Sequence, residues 1–427
     1  MSVDGKKAGR LGILVGGGPA PGINGVIAGA TTEAVRDGLE VVGFRDGFKW
    51  LSEGDGTHQI ALTADLVEQS RLKGGSILGT SRVNPTRDPA KLANVVRALQ
   101  EQGISYLVTI GGDDTAFSAS RTAATAAGHI RVAHVPKTID NDLPLPNNMP
   151  TFGYNTARAV GSSLVRNLVE DARTTSRWYI VVAMGRSAGH LALGIGTVAG
   201  AALTIIPEEF AEGACSLDGL CDAIEGAALK SALAGRNYGV VVIAEGVGEL
   251  IKDELAKNPV VEVTHDEHGH IRLAEVPLAI ILKREMQARA KARGEKVTYV
   301  DCTIGYELRC ADPVPSDAEY VQQLGWGAVR YLRQTGDEGW GDSGSMISIQ
   351  AGEIVPIPFD DILDPVTCKT AVRRVNVHAH PYRCARAAML RLERVDLEDD
   401  ARAAALAAVG KLTVEAFRAK YARLVGA

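Results

Sequence analysis

The sequence predicts an α/β protein of two Rossmann-like lobes, each a parallel sheet flanked by helices. Three observations lead there. Apolar, β-branched runs alternate with helical periodicity, first before about residue 151 and again after it. Glycine-rich or acidic segments follow the ends of those runs, where open α/β sheets bind ligands. The length, 427 residues, exceeds what one ordinary core organises.

In chain order, Leu11 to Val15 reads as a strand entering the turn Gly16–Gly22, then a helix from about Asn24 to Asp37 with Asn24 as candidate N-cap. Leu39 to Phe44 completes a β-α-β unit. A helix near Pro89–Gln102, a strand over 105–110, a helix over 115–127 and a strand over 131–135 continue the alternation. The second set has helices at Asn155–Arg173, Ala188–Gly200 and Leu217–Leu233, and strands at Trp178–Ala183, Ala202–Pro207 and Tyr238–Ala244. The cleft between lobes is the expected site. Between Glu249 and Gly294 the pattern departs. There a β-hairpin around Asp266–His270 precedes a basic amphipathic helix, about Leu278–Arg293, and the tail from Leu397 to Val425 is Ala-rich and helical.

Composition narrows the function classes. Hydrophobic residues make up 46% and charged residues 23%, an ordinary globular balance. A net charge of −5 offers no basic field for nucleic acid, so an anionic substrate must be held by local Arg and Lys side chains. The 6 cysteines form no C-x-x-C pair and no leader is apparent, which predicts reduced thiols and a cytoplasmic location. Leu191–Ile206 is apolar but short for a membrane span and follows Arg186 and His190; a buried helix and strand are expected, and no membrane partner.

The chemistry sits at the strand ends. Gly111-Gly112-Asp113-Asp114-Thr115 allows backbone to approach a phosphate and places Asp113 where Mg²⁺ could be shared with phosphate oxygens. An N-cap at Asp114 or Thr115 is the competing use. Pro136-Lys137-Thr138-Ile139-Asp140-Asn141-Asp142 offers paired carboxylates suited to a base for a hydroxyl, with an Asx-turn as the alternative. Met184-Gly185-Arg186 ends a strand with a guanidinium placed for phosphate, and Arg177 lies at that strand's opposite end. That separation fits a site completed across a dimer interface. Glu245-Gly246 could accept sugar hydroxyls, and Tyr306 and Arg309 pair a phenol with a guanidinium. The turn Gly16–Gly22 is neither G-x-G-x-x-G nor a P-loop. His265, His268 and His270 lack the spacing of a metal site, as do His378 and His380.

Taken together and in this order, Gly16–Gly22, Gly79–Arg82, Gly111–Thr115, Pro136–Asp142, Met184–Arg186 and Gly305–Arg309 resemble the phosphofructokinase family, from about Leu11 to about Leu332. The resemblance implies a phosphoryl-donor lobe, 1–151 with about 308–360, and a sugar-phosphate lobe, 152–307 with about 361–427, that includes the 249–294 insertion. It implies Asp140 as the base for the 1-hydroxyl of fructose 6-phosphate, Asp113 as the Mg²⁺ ligand, and Gly17, Gly112 and Arg82 at the donor. It further implies Thr138, Asp142, Met184, Gly185, Arg186 and Glu245 at the sugar or the transition state. Arg309 matches a 6-phosphate ligand, and Arg177 an Arg contributed by a neighbouring subunit of a homo-oligomer, dimer or tetramer. Several departures from the ATP-dependent pattern stand out. Asp114 replaces a glycine where an α-phosphate would lie, and Lys137 replaces a small residue where a cation can neutralise a pyrophosphate leaving group. Both resemble the pyrophosphate-dependent branch, as does Tyr306 in place of the usual His. The helix after the first turn reads Gly25-Val-Ile-Ala-Gly29, without the Arg of the allosteric bacterial enzymes, which argues against their effector control. An ATP-dependent phosphofructokinase and a non-catalytic regulatory subunit are the rival readings.

Overall fold

The computed structural model describes residues 9–258, 277–334, 344–362 and 370–425. The hairpin expected around Asp266–His270 lies outside them, with His265, His268 and His270. The chain divides into two compact units: one runs to Ala157 and takes in Tyr306–Arg373, the other comprises Arg158–Gly305 and the chain from Arg374. The sequence reading put these crossings near 151, 307 and 360.

The first unit is built on β1 (Arg10–Val15), β2 (Glu40–Phe44), β3 (Gln59–Ala61), β4 (Ile104–Gly111), β5 (Arg131–Thr138) and the two-residue β6 (Phe152–Gly153). The second contributes β7 (Arg177–Ala183), β8 (Leu203–Ile205), β9 (Gly239–Ala244) and β10 (Thr298–Ile304), after which β11 (Ser345–Gln350) and β12 (Glu353–Pro358) return to the first. The first unit's sheet has the order β12-β11-β5-β4-β1-β2-β3, with β6 pairing β5. Its centre is parallel, Leu11 lying opposite Tyr106 and Ile110 opposite Val135. Antiparallel pairs close both edges. Helices cover both faces, so the central strands are apolar throughout rather than alternating: Leu11, Ile13, Leu14, Val15, Leu107, Val108 and Ile110 are all buried.

From β1 the chain winds outward through β2, and from β4 it winds the other way through β5. The gap between the ends of β1 and β4 is therefore the topological switch point, where this architecture leaves a crevice for ligand. Gly16–Gly18 and Gly111–Gly112 border it.

Asn24 does not cap its helix. Helix Ile23–Arg36 starts after Gly22, whose φ of 101° only glycine adopts without strain. Asn24 is buried inside the first turn, donating to Lys73 O at 3.0 Å and accepting from Ile77 N at 2.9 Å, so it ties down the following loop. The same helix crosses helix Pro315–Arg333 at backbone distance. A Cβ on Gly29 would stand 2.5 Å from Gln322 O, and one on Gly325 2.2 Å from Val26 O.

The second unit holds a four-stranded parallel sheet, order β10-β7-β9-β8. Helix His190–Ala199 ends at Gly200 in a left-handed cap and leads into β8, which accounts for the apolar stretch Leu191–Ile206. No described helix is long and apolar enough to cross a membrane. The basic helix Leu278–Ala292 and the last helix, Val414–Val425, both turn cations onto helix Leu217–Leu233. Arg289 donates to the buried Asp222 at 2.7 Å and to the buried Glu225 at 3.2 Å, Arg423 donates to Asp222 at 3.0 Å, and Lys420 to Glu225 at 2.5 Å. Phe417 and Tyr421 complete the contact against Leu229 and Leu406. The tail thus packs on its own unit.

Alanine at Gly29 or Gly325 would gain about 1 kcal/mol of helix propensity. The atoms it meets are backbone and cannot rotate aside, so overpacking of about 1–3 kcal/mol prevails. Gly29→Ala and Gly325→Ala are each expected to lower the urea unfolding midpoint.

Candidate active site

The turn after β1 is held from both sides. Gly16 N donates to Ile110 O at 2.9 Å and Gly17 N to Ser81 O at 2.8 Å, while Thr80 Oγ1 donates to Gly17 O at 2.6 Å. Two of the glycines answer to one side chain: a Cβ on Gly16 would lie 2.5 Å from Thr115 Oγ1, and one on Gly111 2.3 Å from Thr115 Cβ. Thr115 is buried as a wedge between the turns that end β1 and β4. Helix Asp113–Ala126 starts directly after Gly112 with no side-chain cap, so neither Asp114 nor Thr115 caps it. Asp113 and Asp114 are exposed in its first turn, where the helix dipole favours negative charge.

Lys137, near the end of β5, is buried, and its ammonium donates to Gly18 O. Burial and the neighbouring Arg309 guanidinium push its pKa down to about 8, against the pull of Asp140, Asp113 and Asp142. Arg309 lies close to Gly18, where a Cβ would stand 2.7 Å from its Nη1, and its guanidinium sits 5.3 Å over the Tyr306 ring. Two cations therefore flank the Gly16–Gly18 turn, and three carboxylates act on one of them. Arg82 is exposed just after the Thr80–Ser81 anchor.

Beyond Lys137 the chain turns sharply. Asp140 N donates to Thr138 Oγ1 at 3.0 Å, and Thr151 Oγ1 donates to Thr138 O at 2.8 Å. Asn141 takes φ of 58°, with its side-chain oxygen accepting from Thr151 N at 3.0 Å. Asn and Asp tolerate that left-handed conformation better than other side chains do. Asp140 Oδ1 is shut off from solvent. Burial raises the pKa of Asp142; the Thr138 hydrogen bond and Arg373 oppose the rise, and Asp113 adds to it.

His134 is a residue whose role the strand pattern concealed. Its Nε2 lies 3.1 Å from Gly111 O and its Nδ1 2.8 Å from Thr109 Oγ1. A carbonyl only accepts, so Nε2 carries the proton and Nδ1 accepts from the hydroxyl. Burial pushes its pKa down to about 3, helped by Lys137 and opposed by the Gly111 hydrogen bond. The neutral ring thus fixes the carbonyl at the end of β4.

The second unit carries its own strand-end set. Glu245 N donates to Ala183 O at 2.9 Å and Gly246 N to Gly185 O at 3.2 Å, so the turns after β7 and β9 are laced together. Gly185 has φ of 136°, and a Cβ on Gly246 would stand 2.4 Å from Arg186 O, which makes both glycines obligatory. Met184 is buried, Arg186 exposed and Glu245 half-buried. Arg177 is exposed at the opposite end of β7. Tyr306 and Arg309 fall on the first unit, with Gly17, Arg82, Gly112, Asp113, Asp114, Lys137, Thr138, Asp140 and Asp142.

Among the described residues no cluster of three or more His, Cys, Asp or Glu side chains forms a metal cage. Mg²⁺ needs none: it is commonly held by one or two carboxylates plus phosphate oxygens and water. An exposed Asp113 beside the glycine turn, electrostatically coupled to Asp142, is a donor set of that kind.

The family model described as Phosphofructokinase matches residues 10–332. A Thermotoga maritima protein named pyrophosphate--fructose 6-phosphate 1-phosphotransferase is 54% identical over 414 residues, covering 96% of this chain and 98% of that one. A Naegleria fowleri protein of the same name is 47% identical over 428 residues, covering 98% and 97%. Among solved structures, phosphofructokinase from Saccharomyces cerevisiae superposes with a TM-score of 0.66 at 21% identity, covering 83% of this chain, and this chain spans only 45% of the yeast chain. That last likeness is one of fold.

The buried imidazole gives a pH test of stability. An unfolded His takes up a proton below about 6.5, whereas folded His134 stays neutral down to about 3. Between those values the unfolded chain binds more protons, so His134 costs stability progressively as pH falls and nothing above about 6.5. His134→Gln is expected to be the less stable protein at pH 7.5, and the gap to wild type should narrow as urea midpoints are followed toward pH 4.

Proposed function

The chain belongs to the phosphofructokinase family, and we propose that it transfers a phosphoryl group reversibly from pyrophosphate to the 1-hydroxyl of fructose 6-phosphate, giving fructose 1,6-bisphosphate and phosphate. The observation that carries this reading is the Lys137 ammonium, buried against Gly18 O at the switch-point crevice and followed three residues later by Asp140. A fixed cation beside a glycine turn suits a small, highly charged donor. The carboxylate of Asp114, exposed in the next helix's first turn, repels the further phosphate of a nucleotide.

Asp140 accepts the proton of the C1 hydroxyl as its oxygen attacks the terminal phosphorus of pyrophosphate in line. The bond to the bridging oxygen breaks, and phosphate leaves with the charge that Lys137 offsets. A carboxylate is a weak base, but a loose phosphoryl transition state asks for positioning more than for basicity. The Thr138 hydroxyl supplies that positioning by holding Asp140's backbone N–H. Asp113 would hold Mg²⁺, which when bound supplies charge neutralisation on the donor. Gly17, Gly112 and Arg82 are assigned to pyrophosphate. Arg186 offsets transition-state charge with Lys137. Thr138, Met184, Gly185, Glu245, Asp142, Tyr306 and Arg309 are assigned to the sugar phosphate, and Arg177 serves a neighbouring subunit of a cytoplasmic homo-oligomer. Pyrophosphate and the bisphosphate differ little in transfer potential, so both directions are accessible.

Initial rates with fructose 6-phosphate and Mg²⁺ test the donor: turnover with pyrophosphate is expected to exceed that with ATP, and clear ATP preference would reverse the assignment. Lys137→Met keeps the volume and removes the charge, and should lower kcat with pyrophosphate by roughly 10²–10³-fold, the usual cost of one transition-state donor. Lys137 is a cation below its folded pKa of about 8 and neutral above it. kcat/KM should therefore fall as pH rises through about 8, and Lys137→Arg should move that limb to higher pH.

A further inference from the structure

We propose that Arg373 is a positioning residue for the catalytic turn, holding Asp140 and Asp142 in place from outside the family's matched stretch. The assignment rests on the reading of Asp140 as the base. Residues 10–332 carry the family match, and Arg373 lies well beyond them, yet its side chain returns to the Asp140–Asp142 turn.

Its contacts enclose the residue between the two carboxylates. Nε donates to Asn141 O at 3.0 Å, Nη2 donates to Asn141 Oδ1, and Nη1 donates to Met149 O at 2.7 Å. The Arg373 backbone N–H donates to Asp142 O at 2.7 Å. Asn141 is the residue with φ of 58°, so the guanidinium grips the one left-handed position in the turn. The fork spans the loop from 141 to 149 through three acceptors. An ammonium is a point charge with rotating donors and cannot reproduce that arrangement. On the other side, Thr138 Oγ1 holds Asp140 N and Thr151 holds Thr138 O. Thr138 and Arg373 therefore clamp the turn from both ends.

The clamp matters because the reaction depends on placement. A base misplaced by about 1 Å can lose on the order of 10²-fold in rate. Pyrophosphate meets Gly17 and Lys137, which Arg373 does not touch. Loss of the clamp should therefore appear in kcat rather than in the KM for pyrophosphate.

The experiment compares wild type with Arg373→Ala and Arg373→Lys in steady-state assays, with folding checked by far-UV circular dichroism and thermal unfolding. Arg373→Ala is expected to lower kcat on the order of 10²-fold while KM for pyrophosphate changes by less than about threefold. Added guanidinium ion should restore part of the rate and methylammonium should not. Arg373→Lys keeps the charge and should still lose at least about tenfold in kcat; it carries the test if the alanine variant does not fold. A folded variant with kcat within about twofold of wild type, or rescue by methylammonium as good as by guanidinium, overturns the inference. Wild-type turnover with pyrophosphate decides the underlying reading separately, and the variant-to-wild-type ratio is taken with whichever donor the wild type uses.

Discussion

A buried ammonium needs compensation, and the first unit's strand ends are arranged around that need. Lys137 gives one proton to Gly18 O and has Asp140, Asp113 and Asp142 within electrostatic reach, yet burial and Arg309 still weaken its hold on its charge. Removing an ammonium from water costs far more than a single hydrogen bond returns. The carbonyl of Gly18 and the surrounding carboxylates are thus conditions for the lysine being there at all. Its position in turn joins the end of β5 to the turn after β1, across β4. The balance is shared: any change of charge at Asp113, Asp140, Asp142 or Arg309 alters the protonation of Lys137.

Around that contact the backbone is fixed by a set of side chains on neighbouring strands and loops. Thr115 wedges between Gly16 and Gly111, His134 orients the Gly111 carbonyl, Thr80 holds Gly17, and Thr138 with Thr151 and Arg373 shapes the turn of carboxylates. In the proposed scheme the reactive groups lie on strand ends and their supports on neighbouring strands and loops, which is how a rigid sheet delivers precise placement to flexible turns.

The residues assigned to the proposed reaction were easier to find in the sequence than those that support them. The strand-end motifs were legible because an apolar run that stops at Gly-Gly-Asp or Lys-Thr-Ile-Asp leaves few other architectures, and the alternation of runs located the ends of β1 and β4 within a residue, while β5 runs on to Thr138, past the expected end at 135. Asn24 misled because an Asn just after a glycine turn has the local form of a cap, whereas the distant chain near Lys73 and Ile77 claims its side chain. His134 was hidden inside an apolar run, where one polar residue does not disturb the pattern. Arg373 had no local signal, since its partner Asn141 is 232 residues away and only the folded chain brings them together. The placement of Tyr306 and Arg309 on the first unit depends on where the chain crosses between units, and periodicity does not mark that point.

The close crossing of helices Ile23–Arg36 and Pro315–Arg333 has a mechanical consequence. With Gly29 and Gly325 at the crossing, backbone meets backbone, and no side chain lies between them to flex or change rotamer. Close-packed protein transmits load with little compression. The helix that follows the Gly16–Gly22 turn is therefore braced along its length, so in the proposed scheme the turn meets the donor as a stiff cradle whose shape does not follow the anion's charge.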